Sequence, residues 1–315
     1  MEKLRSHVLE GESSKESVLI KNILRKRELL ASGDESHQSI KTALIIGGGG
    51  VRGAFGAGVG LGLEQAGLRS AFDVVIGVSA GAADLAYFLA RQIEIGSTLW
   101  YDDCANRRFI NLARLTRVLD MDYAADHLMR VVKPLDQDAV RASRSNFYIG
   151  VTNAQTGEGE LLDAKDGIDI VTAIHASTAL PVVYNRTVNI NGVEYGDGSI
   201  GIGIPIEAAL QKGCTDILVV LNDVVKEKVG RATLFEKMLV SLYMRKFTPE
   251  FRAAILARHG QYTQVSDVIE HSGNDVNIGI IAPSKMPISR ISIDSQAIYD
   301  LTMDGKDIAL ELFEN

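Results

Sequence analysis

The sequence predicts an α/β fold built around a mainly parallel central sheet. Short apolar runs rich in Val and Ile alternate along the chain with longer segments whose apolar residues recur at helical spacing. Glycine-containing turns connect the first two runs directly to such helical segments. Strands that alternate with helices lie parallel, because each helix returns the chain to the same end of the sheet. We see no internal repeat, and expect residues 41–315 to form one domain behind a charged, partly helical extension at residues 1–40.

The predicted elements follow one another in a regular order. The first four are a strand at 43–46, a helix at 54–65, a strand at 72–76 and a helix at 80–91. Both strand runs are short, apolar and β-branched, as is typical of strands buried on both faces. The later elements are strands at 146–151 and 160–162, a helix at 169–177, a hairpin at 187–195 with an Asn191-Gly192 turn, a helix at 205–212, strands at 216–221 and 276–281, and a helix at 296–314.

The pentapeptide Gly77-Val78-Ser79-Ala80-Gly81 lies between the second predicted strand and its helix. A serine with glycine at both second neighbours, on a strand-to-helix turn, is the pattern of a nucleophile elbow. The turn is so tight that a side chain at Gly77 or Gly81 would collide with the neighbouring chain. It raises the Ser79 hydroxyl above the sheet and points a helix N-terminus at any oxyanion formed there. The pattern predicts a catalytic serine; the alternative is a tight turn without a catalytic role.

The loop after the first strand reads Gly47-Gly48-Gly49-Gly50-Val51-Arg52-Gly53. Four consecutive glycines lose much conformational entropy on folding. Such a run is expected where backbone N–H groups must approach a ligand closely. Two adjacent N–H groups of this loop would form an oxyanion hole beside Ser79.

The same loop allows a second interpretation. Gly48, Gly50 and Gly53 fit the G-x-G-x-x-G fingerprint of dinucleotide-binding folds, and Asp73 lies at about the distance of the ribose-binding acid. That acid should end the second strand, whereas Asp73 precedes the apolar run 74–76. A P-loop is excluded because no Gly-Lys-Ser/Thr follows. The oxyanion-hole interpretation is therefore favoured over dinucleotide binding.

A third motif, Asp197-Gly198, follows the predicted hairpin, and in isolation it is most often a turn. Taken together, the glycine loop, the serine pentapeptide and Asp197-Gly198 resemble the patatin-like phospholipases in residue type, order and spacing. The segment 176–181 is similar to the Ala-Ser-x-x-x-Pro segment of that family, and Pro205 falls where the family has a proline. The resemblance runs from about Lys41 to the C-terminus and looks closest to bacterial members.

The resemblance implies a three-layer α/β/α sandwich and a Ser–Asp dyad in place of a triad. Ser79 would be the nucleophile and Asp197 its partner. The implied substrate is an ester-linked fatty acyl group in a phospholipid or another lipid, and residues 101–140 would form one wall of the acyl pocket. The residues that would form or shape the oxyanion hole are Gly48, Gly49, Gly50, Arg52 and Gly53.

The chain departs from the family pattern at two positions. Ser199 stands where glycine or alanine is usual, and a side chain fits there only if the backbone keeps a negative φ. Gly203 stands where the family favours asparagine, two residues before Pro205. Ser199 leaves open a non-catalytic lipid-binding protein on the same fold. An acyltransferase also remains open, because the site that binds the acceptor alcohol has no recognisable motif.

Histidines offer an alternative base for Ser79. In α/β-hydrolases the histidine follows the acid, and His259 and His271 satisfy that order. Both lie in charged helical stretches without a loop signature, so we expect surface or structural roles. His175 adjoins the 176–181 segment and is expected to pack behind the site. No His, Cys, Asp or Glu cluster has metal-ligand spacing, and we expect no metal and no cofactor.

Composition predicts a water-soluble intracellular enzyme. Hydrophobic residues make up 46% of the 315, enough for one large core. The net charge of -7 argues against general nucleic-acid binding. Cys104 and Cys214 are isolated in sequence and are expected to be reduced and buried. The polar start, residues 1–38, has no apolar signal segment, so we expect a cytoplasmic location. The sequence gives no indication of oligomeric state.

Two segments are candidates for peripheral membrane contact. Residues 18–30 have apolar residues at helical spacing next to basic ones, which predicts either a helix packed on the main domain or a membrane-surface helix. Residues 231–264 contain six basic and two acidic residues interleaved with aromatic and aliphatic ones. They predict either two ordinary amphipathic helices joined at Pro249, or a lid or docking surface for anionic membranes.

Overall fold

A computed structural model describes residues 8, 9, 14, 17–114, 117–225, 240, 243–257 and 275–314. The predicted α/β class is confirmed, because a central sheet of eight strands lies between helical layers. The strands are β1 (Thr42–Ile46), β2 (Val74–Val78), β3 (Asn146–Asn153), β4 (Gly159–Asp163), β5 (Val188–Ile190), β6 (Val193–Asp197), β7 (Asp216–Val220) and β8 (Asn277–Ile281).

The described helices connect these strands and cover the sheet. The α-helices are α1 (Val18–Ser32), α2 (Gly53–Gln65), α3 (Ala80–Leu89), α4 (Ile93–Thr98), α5 (Gln137–Arg141), α6 (Ile170–Thr178), α7 (Gly198–Gly201), α8 (Ile206–Gln211), α9 (Pro249–Ala257) and α10 (Ser295–Phe313). Two π-helical segments span Leu99–Asp103 and Tyr123–Val132. No helix in the described ranges combines the length and the apolarity needed to cross a bilayer.

The strand order is β5-β6-β3-β2-β1-β7-β8, with β4 also paired to β3. The run from β3 to β8 is parallel, whereas β4, β5 and β6 are antiparallel to their neighbours. Leu44 and Ile46 of β1 face the core that contains α2 and α3, and Ala43 and Ile45 face the core that contains α8. Both faces of the strand are buried, which explains why the sequence of β1 is apolar throughout. The three-layer sandwich is therefore present.

Most predicted boundaries lie within two residues of the observed ones. The second strand is shifted furthest: it spans Val74–Val78 instead of 72–76. Asp73 lies directly before the strand, where its carboxylate accepts a hydrogen bond from Thr42 N at 3.0 Å and pairs with Arg144 at 3.1 Å. The predicted hairpin is confirmed, and its turn residues Asn191 and Gly192 have φ of 52° and 90°. Positive φ at both positions is the type I′ geometry that Asn-Gly favours.

Helix α1 packs on the main domain, which is the first of the two alternatives for this segment. Leu19, Ile20 and Ile23 are buried in the core. The Lys26 side chain is also buried, where its ammonium group pairs with Asp73 and donates to Ile40 O at 2.5 Å. The apolar face is therefore occupied by protein and is not available to a membrane.

The basic segment 231–264 lies largely outside the described residues. Within it, α9 begins at Pro249, as expected, and buries Phe251 and Ile255. Cys104 and Cys214 are free and buried, as predicted.

Candidate active site

Ser79 lies on a sharp turn between β2 and α3. Its backbone has φ 54° and ψ -125°, a region that non-glycine residues adopt only under strain. A Cβ at Gly81 would lie 2.2 Å from Ile46 O, and one at Gly77 would lie 2.5 Å from Ala82 Cα. Only glycine fits at either position, so these two residues permit the turn. The hydroxyl stands at the C-terminal end of β2, next to the first turn of α3.

Asp197 meets Ser79 at this end of the sheet. Ser79 Oγ donates a hydrogen bond to Asp197 Oδ2 at 2.9 Å, although the residues are 118 positions apart. Ser79 is 7% exposed and Asp197 is 2% exposed. The other carboxylate oxygen, Oδ1, accepts from Ser199 N at 2.8 Å, and Thr152 Oγ1 donates to the Asp197 carbonyl at 2.7 Å. The carboxylate is thus held with one oxygen on the serine hydroxyl, a distance suited to proton transfer.

Strand β3 aligns the two residues. Its first part pairs with β2, with Val78 opposite Gly150. Its last part pairs with β6, with Asp197 opposite Val151. The ends of β2 and β6 therefore meet at neighbouring positions of one strand, which places their terminal side chains together.

Ser177 is a positioning residue that sequence reasoning did not identify. Its Oγ accepts a hydrogen bond from Ser79 N at 2.8 Å and donates one to Gly150 O at 2.6 Å. The residue is completely buried at the end of α6. It ties the strained serine backbone to β3. The signal that would have found it is its place as the serine of the 176–181 segment.

The glycine loop passes beside the Ser79 side chain. A Cβ at Gly48 would lie 3.1 Å from Ser79 Cβ and 3.6 Å from its Oγ. Within the described chain, the N–H groups of Gly48 and Gly49 donate to no protein acceptor. Gly50 has φ 59°, and a Cβ there would lie 2.7 Å from Arg290 O. Gly48 therefore lies against the Ser79 side chain, and its N–H has no acceptor among the described residues.

Arg52 and Gly53 support this loop without being placed against the hydroxyl. The Arg52 guanidinium donates to Asp223 Oδ2 at 2.7 Å and to Ile288 O at 2.9 Å. A Cβ at Gly53 would lie 2.6 Å from Ala80 Cβ, so this glycine allows α2 to approach the start of α3. The guanidinium thus anchors the loop to the segments after β7 and before α10.

Asn222 is a second positioning residue that was not predicted from the sequence. Its Nδ2 donates to Gly47 O at 2.8 Å, and its Oδ1 accepts from Gly56 N at 2.8 Å. The side chain is buried and joins the start of the glycine loop to the first turn of α2. Its signal is weak: a polar pair, Asn222-Asp223, directly after the apolar run of β7.

Asp84 is a buried acid under the same loop. Its Oδ1 accepts from Trp100 Nε1 at 2.8 Å, and its Oδ2 has no hydrogen-bond partner among the described residues. Burial raises the pKa of Asp84 well above its ordinary value, which keeps the carboxyl neutral. A Cβ at Gly56 would lie 3.2 Å from Asp84 Oδ2 and 2.9 Å from Asn222 Oδ1, so the acid lies close to the Asn222 side chain.

An apolar cavity of about 60 Å³ lies between α3, α6 and residues 99–129, and its lining includes Ala83 and Thr178 but neither Ser79 nor Asp197. Ala83 lies one turn after Ser79 on α3, and Thr178 directly follows Ser177. Seven of the thirteen lining residues fall within residues 101–140, the segment predicted to form one wall of the acyl pocket. The lining residues are Ala83, Leu99, Trp100, Cys104, Phe109, Met121, Ala124, Ala125, Leu128, Met129, Ile174, His175 and Thr178. Such a lining suits a hydrocarbon chain.

His175 belongs to this cavity wall. Its Nε2 lies 3.0 Å from Tyr184 OH, which in turn donates to Asp122. Burial lowers the pKa of His175 and keeps the imidazole neutral. His259 and His271 lie outside the described residues. No group of His, Cys, Asp or Glu side chains within the described ranges could hold a metal ion.

The two departures from the family pattern leave the backbone geometry intact. Ser199 lies in the short helix α7 and has no positive φ, so its side chain is accommodated. Its Cβ lies 3.7 Å from where a Cβ at Gly48 would be. Gly203 has φ 67°, a conformation that asparagine also tolerates better than most residues.

Comparison with known proteins gave matches to a protein family, to a curated protein and to solved structures, two of which are described below. The family described as patatin-like phospholipase matches residues 44–210, a little over half of the chain. The curated Escherichia coli (strain K12) protein named "Uncharacterized protein YjjU" is 27% identical over 266 residues, which are 81% of this chain and 72% of that protein.

The two solved structures are more distant. VipD from Legionella pneumophila is 14% identical with a TM-score of 0.39, over 85% of this chain and 67% of VipD. The type III effector protein ExoU is 15% identical with a TM-score of 0.29, over 71% of this chain and 53% of ExoU. At these scores, neither likeness carries an argument about activity.

Proposed function

We propose that this chain, which belongs to the patatin-like phospholipase family, is a serine lipid acyl hydrolase. Family membership supports a lipid hydrolase. The finer proposal is a carboxylic ester hydrolase in which Ser79 and Asp197 act as a dyad. The single observation that carries it is the 2.9 Å hydrogen bond between these two buried side chains.

The proposed reaction begins with attack of Ser79 Oγ on the ester carbonyl. Asp197 Oδ2 accepts the hydroxyl proton as the new C–O bond forms, and the carbonyl oxygen becomes an oxyanion. The same proton then passes from Asp197 to the departing alkoxide as the ester C–O bond breaks. Water attacks the acyl-serine with Asp197 again as base, which releases the fatty acid and restores Ser79.

Backbone N–H groups of Gly48 and Gly49 are the proposed oxyanion donors, together with the N-terminus of α3. A well-placed donor of this kind contributes roughly 3 kcal/mol to transition-state stabilisation. These donors matter more here than in a His-containing triad, because a carboxylate with an ordinary pKa near 3.9 is a weak base. The buried site strengthens both interactions, since water does not screen them.

The proposed acyl-binding site is the apolar cavity beside Ala83. Its lining offers dispersion contacts and no ionised group next to the hydrocarbon. Because the substrate is a lipid, we propose that the protein acts at a membrane surface from the aqueous side. The cytoplasmic location expected from the sequence remains part of this proposal.

Two variants test the dyad, namely Ser79→Ala and Asp197→Asn. Each is expected to lower kcat for a soluble ester such as p-nitrophenyl butyrate by about 10³-fold or more. Ser145→Ala is a matched control, because Ser145 is equally buried but bonds Phe72 O at the opposite end of β2. Wild-type turnover by either dyad variant would overturn the mechanism.

Labelling by a fluorophosphonate separates the enzyme from a non-catalytic lipid-binding protein. The proposal expects stoichiometric labelling of Ser79 in the wild type and none in Ser79→Ala. An inert wild type would favour the binding protein. Product analysis with and without an added alcohol distinguishes the acyltransferase, which would yield a new ester in preference to the free fatty acid.

A further inference from the structure

Three segments beside the cavity form an exposed basic surface. We call it the basic rim and define it by four cations, Arg107, Arg108, Arg186 and Lys246, and two apolar residues, Leu112 and Val182. The cations are all exposed. Leu112 is 66% exposed and Val182 is 44% exposed.

The rim is continuous with the cavity. Ile110 and Leu119 pair as an antiparallel bridge, and Leu112 lies in the turn between them. Two residues that flank this bridge, Phe109 and Met121, line the cavity from inside. One short hairpin therefore places an aliphatic side chain in solvent and closes the proposed acyl site with its opposite face.

Hydrogen bonds join the three segments of the rim. Leu119 N donates to Val183 O at 3.1 Å, which places the hairpin beside the loop that carries Val182 and Arg186. Lys246 Nζ donates to Asn185 O in the same loop. These contacts place the three segments side by side next to the hairpin that covers the cavity.

Charge on this surface is opposite in sign to that of the whole chain. Residues 105–119 contain four arginines and no acidic residue, whereas the chain carries a net charge of -7. Two neighbouring acids, Asp120 and Asp122, are engaged by Arg114 and Arg117, and Asp122 also lies 3.3 Å from the Arg186 guanidinium.

Two of the rim cations, Arg186 and Lys246, repel each other. Burial and the neighbouring Arg186 both lower the pKa of Lys246. An anion placed between these two cations would relieve the repulsion, so the rim is suited to bind negative charge.

We propose that the basic rim docks the protein on an anionic phospholipid bilayer, with Leu112 and Val182 inserted at the headgroup boundary. Aliphatic tips ringed by arginine and lysine fit such a boundary, because the apolar groups leave water while the cations meet phosphate oxygens. In this orientation the hairpin that covers the cavity faces the bilayer. The inference rests on the proposed function, since a lipid hydrolase needs a route from membrane to acyl site.

The test is sedimentation with vesicles of phosphatidylcholine, with or without phosphatidylglycerol. All proteins carry Ser79→Ala so that lipid is not consumed. The rim variant is Arg107→Gln/Arg186→Gln/Lys246→Gln. Because each basic residue near an anionic surface contributes roughly fivefold in binding, the three changes are expected to weaken binding about a hundredfold.

The matched control is Arg25→Gln/Lys41→Gln/Lys212→Gln. It removes the same charge from exposed residues at the opposite end of the sheet, where β1 and β7 begin. It is expected to keep most of the binding. A further variant, Leu112→Asp, replaces the apolar tip with a carboxylate that neither inserts into the headgroup boundary nor tolerates an anionic surface, and is expected to weaken binding at least tenfold.

Three outcomes overturn docking through the rim: no wild-type binding to anionic vesicles, equal binding to neutral and anionic vesicles, or equal losses in rim and control variants. Selective loss in the rim variant and in Leu112→Asp supports it. Capture of an acidic protein in place of vesicles would assign the rim to a protein partner and would also overturn it.

Hydrolysis of p-nitrophenyl butyrate separates this inference from the proposed function. With Ser79 restored, the rim variant is expected to hydrolyse this soluble ester at the wild-type rate. A wild type that binds anionic vesicles but hydrolyses no ester would refute the proposed function and leave docking intact. A wild type that hydrolyses the ester but ignores vesicles would refute docking alone.

Discussion

Removal of one hydroxyl, in Ser177→Ala, is expected to loosen the catalytic turn. The change leaves Ser79 N–H without its acceptor and removes the donor to Gly150 O. Both groups are buried, and each buried polar group that loses its partner costs about 1–3 kcal/mol. We expect the free energy of unfolding to fall by about 2–4 kcal/mol.

Activity should fall as well, because Ser79 occupies a strained conformation. A serine at φ 54° is held there only by its surroundings, and Ser177 supplies the hydrogen bond to its backbone. A displacement of about 1 Å between reacting groups costs about 10²-fold in rate. We therefore expect kcat for p-nitrophenyl butyrate to fall by about 10- to 100-fold, whereas KM should change little.

Urea unfolding and steady-state kinetics measure the two effects separately. Ser145→Ala serves again as control, since it loses one buried hydrogen bond remote from the site. That variant should lose about 1–2 kcal/mol of stability and no kcat. If Ser177→Ala instead matched the wild type in kcat, or matched Ser145→Ala in every respect, Ser177 would have no special role in positioning Ser79.

Three further predictions concern the cavity, the buried acid and the first helix. Ala83→Phe should fill the proposed acyl site, so hydrolysis of long-chain esters should fall far more than that of p-nitrophenyl butyrate; equal losses would place the acyl chain elsewhere. Burial raises the pKa of Asp84 above its ordinary value of 3.8, so the contribution of this group to the free energy of unfolding should decline as pH rises above that value. Asp84→Asn should remove this decline, and parallel unfolding curves against pH for both proteins would contradict it. Lys26→Met breaks the buried pair with Asp73 and should cost about 3 kcal/mol in urea unfolding. Lys26→Met/Asp73→Asn should recover part of that loss, and an additive loss would show that the pair is not coupled.

The fold could be predicted from sequence because its signals are local. Buried parallel strands appear as continuous apolar runs, and the 191–192 turn requires two positive φ angles that Asn-Gly readily adopts. Exact boundaries could not be predicted, because the apolar run at 72–76 does not show where strand pairing ends. β2 continues to Gly77 and Val78 because these residues pair with β1 and β3.

Parts of the site could be predicted because they depend on short motifs. Gly77 and Gly81 predict the tight turn at Ser79, and the glycine loop is recognisable as four consecutive glycines. The supporting residues were not predictable, since Ser177 and Asn222 act through single hydrogen bonds to backbone groups far away in sequence. A lone serine or asparagine carries no periodicity that would reveal such a role.

Residues 18–30 also show that a sequence pattern alone does not decide what a helix contacts. Their pattern of apolar and basic residues fits a membrane-surface helix as well as a packed one. Burial of Leu19, Ile20 and Ile23 decides for packing. The hairpin that carries Leu112 had no membrane signature in the sequence, because its exposure depends on how residues 109–121 cover the cavity.

By itself, the sequence determined the strand order along the chain, the two tight glycine turns and the chemical identity of the serine and the acid. Only the tertiary structure decided that Ser79 and Asp197 meet, because their contact depends on β3 pairing with β2 along one half and with β6 along the other. Such register is set by the packing of both sheet faces at once. No stretch of residues near either side chain contains that information.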